Sequence, residues 1–481
     1  MAEVVYPPPT AQKILTLEAP GGRPETLQLV APSITRPGQP FVLKLAVADH
    51  MGYPSVEVGG AVTIRGDFAS PASVRLPFAK GQPAVAEVHG VAIGAEGLYR
   101  FEAELDGRTF HSNPTRCTAE VRSPVFWGDP HVHTVLSRCH PERCRSVQFC
   151  YAAARYFAGL DFASAADHVS NDRCDLGKWK ESAAASDLHD DPPHFATLPA
   201  YEASFQGGAG GDNNPYMRRW PENFVDDFED GTVKTLCGKL AEYLPESDFF
   251  VVPHHTTRMG KHGEIPDAIY PGPDLMPVVE IHSKWGTSEY RGNPNPLRRI
   301  HDGPSYVVDL LGRGLRLGFI GGTDTHSTMP AGFGNDHLPG LPGMTAVFAD
   351  GLSRDAVFDA MRTRRCYAAS LERILLDVRV AGAAMGEMMP WPDSPRPREV
   401  RVAAAGRSDV TAVEIVRNGE TVGQVAADGW HAEGAWTDTD DLAPRALESK
   451  YLGRFAYYYV RVTCASGAQA WSSPVWLRLE P

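Results

Sequence analysis

Between residues 124 and 371, short apolar runs typical of β-strands alternate with segments in which apolar residues have a helical spacing. This alternation constrains the fold more than any other feature, because strands joined by crossover helices pair in parallel, in an open sheet or a closed barrel. The strand-like runs lie at 125–133, 161–168, 195–202, 249–255, 277–283, 315–326 and 345–349, and helical patterns lie at 146–160, 233–244 and 354–365. Seven strands favour a barrel just short of the common eight.

The flanking segments have a different pattern. Residues 1–123 and 372–481 contain short alternating strands separated by Pro- and Gly-rich turns, including an Asn-Gly hairpin signal at 417–420. We therefore predict an α/β protein of three domains. A β-sandwich-like domain spans 1–123, a metal-binding (βα)7-type barrel spans 124–371, and a second β domain spans 372–481.

Composition excludes some function classes. The formal charge of −13 argues against a nucleic-acid partner bound through a basic surface. The first twenty residues lack the features of a signal peptide, and the chain has no run of eighteen apolar residues, so we expect no membrane contact and a cytoplasmic location. The eight cysteines form no CxxC pair, and we expect reduced thiols. The sequence leaves an oligomer open.

Imidazole and carboxylate side chains follow six of the predicted strands at the point where each strand ends. The carboxyl ends of parallel barrel strands meet on one face, where active sites form. We therefore expect these side chains to share one site. They are His131, His133, Asp167, His168, Glu202, His254, His255, Glu280, His282, Asp324 and His326.

This set of side chains suits divalent metal ions. Residues i and i+2 of a strand face the same side, so His131 and His133 can chelate one ion together, and Asp324 and His326 share the spacing. A single His-x-His is usually incidental, and a single acidic residue is more often on the surface. The repetition at six strand ends is what indicates a metal centre, and nitrogen with oxygen ligands suits zinc, manganese or iron.

The ordered motifs GDPHVHT, ASAADH, LPAYEAS, VVPHH and GGTDTHS resemble those of the PHP (polymerase and histidinol phosphatase) superfamily. The resemblance covers about 124–371, and it implies a distorted seven-stranded barrel with two or three metal ions. The segments VVEIHSKWGTSE, RRCYAAS and the C-terminal YYYVRV and WSSPVWL more closely resemble a large bacterial branch of uncharacterised function, whose members often carry extra β domains.

The resemblance also implies roles for individual residues. His131 and His133 would bind the first ion, Glu202 would bridge two ions, and His168 and His254 would bind the second or third. Asp324 and His326 would complete the ligands. Asp167 would be a ligand or would orient a neighbouring imidazole.

One position departs from the family pattern. The family often has a ligand six residues after the second histidine of the first motif, and here that residue is Cys139, followed by His140. The departure puts a third ion in doubt. Cys139 and Cys144 could bridge or bind metal, and a plain thiol is the alternative. Glu280 is a ligand or a carboxylate that lines the site.

The expected mechanism is hydrolysis. Two nearby cations lower the pKa of a bridging water, hold a hydroxide nucleophile and neutralise charge on a phosphoryl or acyl oxygen. His255 and His282 could protonate a leaving group, and Arg258 and Lys284 could hold an anionic substrate. With Asp167 and Glu280, these four residues are the predicted catalytic group. Each of them could instead be structural.

Three functions remain open at this point. The first is a metal-dependent phosphoesterase that acts on a small organic ester, which the family resemblance favours. The second is a metallohydrolase of amide, carboxyl-ester or sulfate-ester bonds, which the same metal chemistry would serve. The third is a non-catalytic binding scaffold with a degenerate barrel. The third predicts missing ligands, whereas the ligand set is nearly full.

Overall fold

The structure is a computed structural model. It describes residues 2–69, 73–169, 175–205, 208–223, 225, 231–259, 265–300, 303–332, 340–392 and 394–480. The protein is mostly β, with 41% strand and 15% helix. No helix in the described ranges is long and apolar enough to cross a membrane.

The N-terminal segment contains eleven strands and one helix, α1 (Pro9–Glu18). Two four-stranded sheets, in the orders β1-β7-β4-β2 and β10-β9-β5-β6, enclose a core of alternating inward residues such as Leu43, Ile64 and Val88. A smaller sheet has the order β3-β11-β8. Strands β1 to β11 are Glu3–Val5, Thr26–Val30, Ile34–Thr35, Phe41–Ala48, Gly60–Arg65, Ser73–Phe78, Val85–Val91, Gly97–Tyr99, Glu102–Leu105, Arg108–His111 and Thr115–Cys117.

The middle segment contains the next eleven strands and the other five α-helices of the described chain. Serine or threonine side chains cap three of the helices; for example, Ser146 Oγ accepts from the Phe149 N–H at 3.1 Å. Strands β12 to β22 are Val125–Val132, Phe162–Ala165, Ala196–Thr197, Ala203–Ser204, Asp212–Met217, Phe249–His254, Val278–Ser283, Gly286–Thr287, Gly318–Gly321, Gly343–Phe348 and Cys366–Ser370. Helices α2 to α6 are Val147–Ala152, Leu176–His189, Val233–Leu240, Val307–Gly312 and Arg354–Arg362.

The C-terminal segment is built from β23 to β33. Strands β24-β23-β26-β29 form an antiparallel sheet, and the others extend a sheet that begins in the middle segment. The strands are Leu375–Val380, Ala383–Ala384, Met388–Pro392, Arg398–Ala405, Val410–Arg417, Glu420–Gln424, His431–Asp438, Leu447–Ser449, Gly453–Cys464, Gln469–Ser472 and Val475–Glu480.

The middle and C-terminal segments share a sheet and a core. A twelve-stranded sheet runs from β14 through β13, β12, β21 and β22, and β22 pairs with β32. Trp471 and Trp476 of the C-terminal segment pack in one core with Val279 and Phe319. Large aromatic side chains buried in this way make a strong apolar contact between the two segments. The division at residue 372 stays a prediction from the sequence pattern.

The predicted α/β class and the predicted (βα)7-type barrel are both wrong, because the protein is mostly β with several antiparallel sheets. The predicted strands are present, but they are divided among three sheets, and antiparallel pairs interrupt the parallel ones. β12 is parallel to β13 but antiparallel to β21, and β17 is antiparallel to β16, a strand that the pattern did not predict. An apolar run shows that a strand is buried and says nothing of the direction of its neighbour. The alternation with helices was therefore a poor guide to the pairing.

Candidate metal centre

The candidate site lies where β12 ends beside the turn that follows β20. The Asp324 N–H donates to the His131 carbonyl oxygen at 2.7 Å, and the His133 N–H donates to the Thr325 carbonyl oxygen at 3.1 Å. These two backbone hydrogen bonds form an isolated parallel bridge between Val132 and Thr325, whereas the neighbours of β12 in its sheet are β13 and β21. They bring together the two motifs in which metal-ligand residues are spaced two apart.

The backbone at this point is crowded and unusual. A Cβ at Gly322 would lie 2.6 Å from Glu280 Oε2 and 2.7 Å from His131 Cβ, so only glycine fits there. Asp324 (φ 49°) and His255 (φ 53°) adopt the left-handed conformation, which is uncommon for residues with a Cβ. Such conformations persist where the surrounding structure holds them, and functional sites are frequent among these places.

Four buried side chains converge on one point, and we call them the His/carboxylate group: His131, His133, Glu202 and Asp324. His133 Nε2 lies 3.1 Å from Glu202 Oε2 and 2.9 Å from Asp324 Oδ1. His131 Nε2 lies 3.6 Å and 3.5 Å from the same two oxygens. Ligands of a tetrahedral zinc ion, each about 2.0–2.1 Å from the metal, are about 3.4 Å apart. The observed spacing therefore matches that of a metal site.

The hydrogen bonds of His133 fix which ring nitrogen carries the proton. Ser137 Oγ donates to Asp167 Oδ1 at 2.6 Å, so it accepts from His133 Nδ1 at 2.9 Å. In the neutral ring, Nε2 then directs a lone pair at the oxygens of Glu202 and Asp324. Three acceptors facing each other repel unless a proton or a metal cation lies between them.

His131 has the same arrangement. Its Nδ1 donates to Glu280 Oε2 at 3.0 Å, which leaves Nε2 directed at the shared point. A histidine that donates to a carboxylate through one nitrogen, while the other faces a common centre, is typical of metal-binding imidazoles. Two of the carboxylates predicted as catalytic therefore hold the Nδ1 protons of the two histidines of the His/carboxylate group. Asp167 does so through Ser137, and Glu280 does so directly.

Protons stabilise this group when no cation is bound. Burial disfavours the charged form of His131, but the charges of Asp324 and Glu280 raise its pKa well above its usual value. Burial likewise opposes ionisation of Glu202 and Asp324. The neighbouring histidines, first His168 for Glu202 and first His131 for Asp324, nevertheless hold the pKa of each carboxyl well below its usual range.

Glu202 has ring nitrogens near both of its carboxylate oxygens. Besides His131 and His133, Oε2 has His168 Nδ1 at 3.3 Å, and Oε1 has His254 Nε2 at 3.4 Å. His168 and Glu202 are also neighbours in a parallel backbone bridge. A carboxylate with imidazoles on both oxygens can bridge two metal ions.

A second group of ligand atoms extends the site from His254. Asp212, His254 and His255 each offer an atom within 4.8 Å of the others, and all three are buried. His255 Nε2 lies 3.0 Å from Asp324 Oδ2, and His255 Nδ1 lies 3.9 Å from Asp212 Oδ2. Burial disfavours the charge on His255, but these two carboxylates raise the pKa of His255 to about 9.

A third group contains a thiol, and we call it the thiol cluster: His133, Cys139, His168 and His326. Their ligand atoms lie within 4.8 Å of one another. The rings of His168 and His326 both stack on the His133 ring, with centroids 4.6 Å and 4.4 Å away. A hydrogen bond from Cys144, with help from His168 and His326, lowers the pKa of the Cys139 thiol.

Buried polar atoms without hydrogen bonds test whether metal ions fit these groups. His131 Nε2, His168 Nδ1, Glu202 Oε2 and both ring nitrogens of His254 are buried and form no hydrogen bond within the described residues. Polar atoms in such surroundings are normally paired, because an unpaired one is costly. Nitrogen and oxygen atoms at this spacing are suitable ligands for divalent ions. These buried histidine, glutamate and aspartate groups could therefore hold metal ions.

An aromatic side chain and a cation lie at the outer edge of the site. The Trp285 ring lies 5.2 Å from the His255 ring and 6.1 Å from the His326 ring. The guanidinium carbon of Arg258 lies 3.8 Å above the Trp285 ring. Burial lowers the pKa of Arg258, although Asp324, Asp212 and Glu202 oppose the shift. The half-buried Arg258 guanidinium thus lies in the electrostatic field of the site's carboxylates. As a cation, it could also bind an anionic group of a ligand.

Two of the predicted catalytic residues have other surroundings. His282 Nε2 donates to the Leu341 carbonyl oxygen at 3.0 Å, Nδ1 faces Thr287 Oγ1 at 2.9 Å, and the ring stacks on Trp471. Burial lowers the pKa of His282 to about 4, so the ring is neutral. Lys284 is buried close to the Asp324 turn, where its N–H donates to the Thr323 carbonyl oxygen. A catalytic role for either residue stays a prediction.

The sequence analysis missed four contributors. Asp129, inside the quoted GDPHVHT motif, accepts hydrogen bonds from Thr323 and Ala331 and so holds the Asp324 turn against β12. Asp212, Ser137 and Trp285 were also missed. Asp129 lies inside the GDPHVHT motif and Ser137 lies close after it, and this closeness to the motif could have identified both residues. Asp212 lies in β16, a strand that the sequence pattern did not predict.

Comparisons with known proteins give relatives without a described function. The chain is 28% identical over 400 residues to a protein of Chlamydia trachomatis, covering 80% of this chain and 62% of the relative. A Chlamydia pneumoniae protein is 27% identical over 399 residues, with the same coverage. A Chlamydia muridarum protein is 35% identical over 213 residues, 42% of this chain and 34% of the relative. The chain thus spans less than two thirds of these relatives, all of which are named only as uncharacterised proteins.

No family model matches the chain. Among solved structures, a Salmonella alpha-2-macroglobulin reacted with methylamine aligns with 96% of this chain and 24% of its own length, at 10% identity and a TM-score of 0.17. An Escherichia coli alpha-2-macroglobulin activated by porcine elastase aligns with 94% and 30%, at 9% identity and the same TM-score. Likeness this weak carries no conclusion about fold or function. The PHP resemblance therefore stays an interpretation of the motifs.

Proposed function

We propose that this chain is a metal-dependent hydrolase that cleaves a phosphate ester of a small organic molecule. The observation that carries the proposal is the environment of Glu202. Its two oxygens lie 3.1–3.6 Å from ring nitrogens of His131, His133, His168 and His254. A purely structural carboxylate needs far fewer imidazoles, and a dinuclear centre needs a bridging ligand of this kind.

The residues divide into ligands and the side chains that orient them. His131, His133, Glu202 and Asp324 would hold the first ion, and Glu202 with His168 and His254 would hold a second ion of zinc, manganese or iron. Bound divalent metal would supply Lewis acidity, for activating water and for neutralising charge on a phosphoryl oxygen. Glu280 keeps the His131 Nδ1 proton in place, and Asp167 does the same for His133 through Ser137.

The substrate class follows from the outer edge of the site. Arg258 is a fixed cation stacked on Trp285, and it is exposed enough to meet a ligand. A guanidinium can bind two oxygens of a phosphate at once, which a neutral acyl ester does not offer. The PHP resemblance supports the same class of substrate. A small phosphate ester therefore fits the site better than an amide or a carboxyl ester.

We assign to His255 the role of general acid, which donates a proton to the leaving group. Its ring lies between the His/carboxylate group and Trp285, with Nε2 3.0 Å from Asp324 Oδ2 and Nδ1 3.9 Å from Asp212 Oδ2. A general acid matters most when the leaving group is a poor one. His255→Gln should therefore slow the hydrolysis of alkyl phosphates much more than that of nitrophenyl phosphate.

The test combines metal analysis with a substrate panel. The protein is purified without chelators, its zinc, manganese and iron are measured, and release of phosphate from aryl and alkyl phosphates is compared with cleavage of aryl acetates. His133→Asn is compared with His111→Asn, a half-exposed histidine of the N-terminal segment. We expect at least two metal equivalents and phosphate release in the wild type and in the control, and loss of both in His133→Asn.

Other outcomes would overturn the proposal in defined ways. Bound metal with cleavage of acetates and none of phosphates would identify an acyl hydrolase instead. If the protein contains no metal and stays inactive on every substrate after each ion is added, the binding scaffold becomes the better hypothesis.

A further inference from the structure

A cleft lies on the outer face of the β24-β23-β26-β29 sheet, where residues of all three segments meet. Its volume is about 700 Å³, and sites for small molecules typically measure about 300–1,000 Å³. Strands β23, β26 and β29 and the connection 118–123 between β11 and β12 supply most of its lining. None of its described lining residues belongs to the three ligand groups of the candidate metal centre. The cleft is therefore a separate candidate site.

Small side chains on the outer face of this sheet create the hollow. Val378 and Val402 are cross-strand neighbours that pack in the core, so the residues that alternate with them lie on the outer face. Two of these residues, Ala403 and Ala435, are alanines that line the cleft. β-Branched and aromatic side chains are the usual occupants of a sheet surface, and a methyl group fills much less of it. The two alanines therefore leave room for a ligand.

Two arginines lie side by side on this outer face. Arg379 of β23 and Arg401 of β26 are directly opposite each other in the antiparallel register, and like charges so placed destabilise a sheet. Glu399 pairs with Arg401, but no carboxylate lies within 4.0 Å of Arg379 in the part of the chain that the structure describes. Arg379 Nε is buried and forms no hydrogen bond within that part. An anion beside the two guanidinium groups would offset the repulsion and could accept from this nitrogen.

Three further arginines line the cleft. Arg116 pairs with Glu433 at 3.0 Å, and Arg365 donates to Ser123 Oγ at 2.7 Å. Arg122 is exposed and has no carboxylate within 4.0 Å among the described residues. Five arginines and four acidic residues thus line the cleft, whereas the whole chain has a formal charge of −13. A local excess of cations on an acidic protein favours an anionic ligand.

Apolar side chains complete the lining. Ile34, Val121 and Phe348 are half-buried, and Leu375 lies on the same face of β23 as Arg379. Pockets that bind small molecules typically combine an apolar lining with a few polar groups that fix the orientation of the ligand. The cleft therefore suits a molecule with an apolar body and an anionic group.

We propose that this cleft binds a small organic anion, whose carboxylate or phosphate group contacts Arg379 and Arg401 and whose apolar body covers Ala403. The inference does not depend on the proposed function. β12 separates the two sites, since Ser123 lies in the cleft just before this strand and His131 lies near its far end. At about 3.3 Å per residue, the intervening chain spans roughly 25 Å.

Ligand-observed NMR titration of the full chain measures the affinity. Naphthalene-2-carboxylate and phenylphosphonate are the anionic probes, and naphthalene-2-carboxamide is the neutral one. The double variant Arg379→Gln, Arg401→Gln removes both charges, and Arg75→Gln, at an exposed position of β6, is its control. Ala403→Ile fills the hollow with a residue that strands favour, and Ala61→Ile, at a half-buried position of β5, is its control. Circular dichroism checks that every variant is folded.

We expect saturable binding of at least one anion to the wild type and to both controls. The affinity should fall by about tenfold or more in the double variant and in Ala403→Ile, and the carboxamide should bind more weakly than the carboxylate by a similar factor. Three results would overturn the inference: no saturable binding of either anion, equal affinity for carboxylate and carboxamide, or unchanged affinity in the double variant.

The variant His133→Asn separates this inference from the proposed function. Anion binding that His133→Asn abolishes and the double arginine variant retains would place the ligand at the candidate metal centre, which overturns the inference and leaves the proposed function standing. Binding that depends on the arginines, in a protein that holds no metal and releases no phosphate, would support the inference and count against the proposed function alone.

Discussion

His133 Nε2 lies 2.9 Å from Asp324 Oδ1, although 191 positions separate the two residues in the chain. Ser137 and Asp167 keep one ring proton on the far nitrogen, so the near nitrogen and the carboxylate oxygen meet as two acceptors unless a proton or a metal cation lies between them. The pair joins the end of β12 to the turn after β20. It therefore couples the stability of that junction to whatever cation the site holds.

Glu202→Gln should lower both the metal content and the activity of the protein. The amide keeps the shape but removes the charge that faces four imidazoles, and it cannot bridge two ions as a carboxylate does. We expect loss of at least one bound ion and a fall in phosphate release of about 100-fold or more. Elemental analysis and initial rates measure both. Glu433→Gln, an exposed glutamate, should leave both unchanged, and retained metal in Glu202→Gln would contradict the bridging role.

Glu280→Gln should weaken metal binding without abolishing it. Glu280 contacts His131 Nδ1 and orients the ring, and loss of such a carboxylate typically lowers metal affinity by about 10–100-fold. Titration with zinc against a competing chelator measures the affinity. An affinity equal to that of the wild type would show that the carboxylate charge of Glu280 does not contribute to metal binding. Circular dichroism checks that the variant is folded.

Arg258→Lys should raise KM for a phosphate ester with a smaller effect on kcat. Lysine keeps the charge but loses the planar stacking on Trp285 and the two-point contact with phosphate. We expect KM to rise by about tenfold, which corresponds to about 1.4 kcal/mol of binding. Arg407→Lys, a partly exposed arginine of the C-terminal segment, is the matched control. An equal fall in kcat and kcat/KM would instead indicate that Arg258 acts only in the transition state.

The free energy of unfolding should fall as the pH is lowered, and His282 should account for part of this fall. Burial lowers the pKa of His282 from 6.5 to about 4, so below pH 6.5 the unfolded chain binds a proton that the folded chain does not. The folded state therefore loses on the order of 3 kcal/mol between pH 6.5 and 4, and nothing above that range. Urea unfolding across this range tests it. In His282→Gln the curve should be flatter, and an unchanged slope would exclude His282 as the cause.

Asp438→Asn should destabilise the C-terminal segment. Asp438 Oδ2 lies 2.9 Å from Arg398 and 2.6 Å from Arg417, and Arg398 and Asp438 are at most 2% exposed. Removing the anion leaves two guanidinium groups without it, which costs about 3–5 kcal/mol for a buried pair. Chemical denaturation measures the loss. Glu399→Gln, from a half-exposed ion pair with Arg401, should cost about 1 kcal/mol or less.

The residues that cluster in the candidate site could be predicted from the sequence, because their spacing is a local property. His131 and His133 were chosen for strand periodicity, and the structure directs Nε2 of both at one point. The other predicted ligands, His168, Glu202, His254, Asp324 and His326, also lie in the three contacting groups. Their roles as ligands stay predictions, but their proximity followed from the expectation that strand ends meet.

Only the tertiary structure decided how the strands pair and what surrounds each side chain. The antiparallel β16 brings Asp212 to His255, and the ring of His282 stacks on Trp471 of the C-terminal segment. The sequence by itself determined residue types, strand alternation and local spacing, because these depend on neighbours in the chain. Pairing direction and ring protonation depend on contacts such as that of His133 with Asp324, between distant residues, which no local pattern encodes.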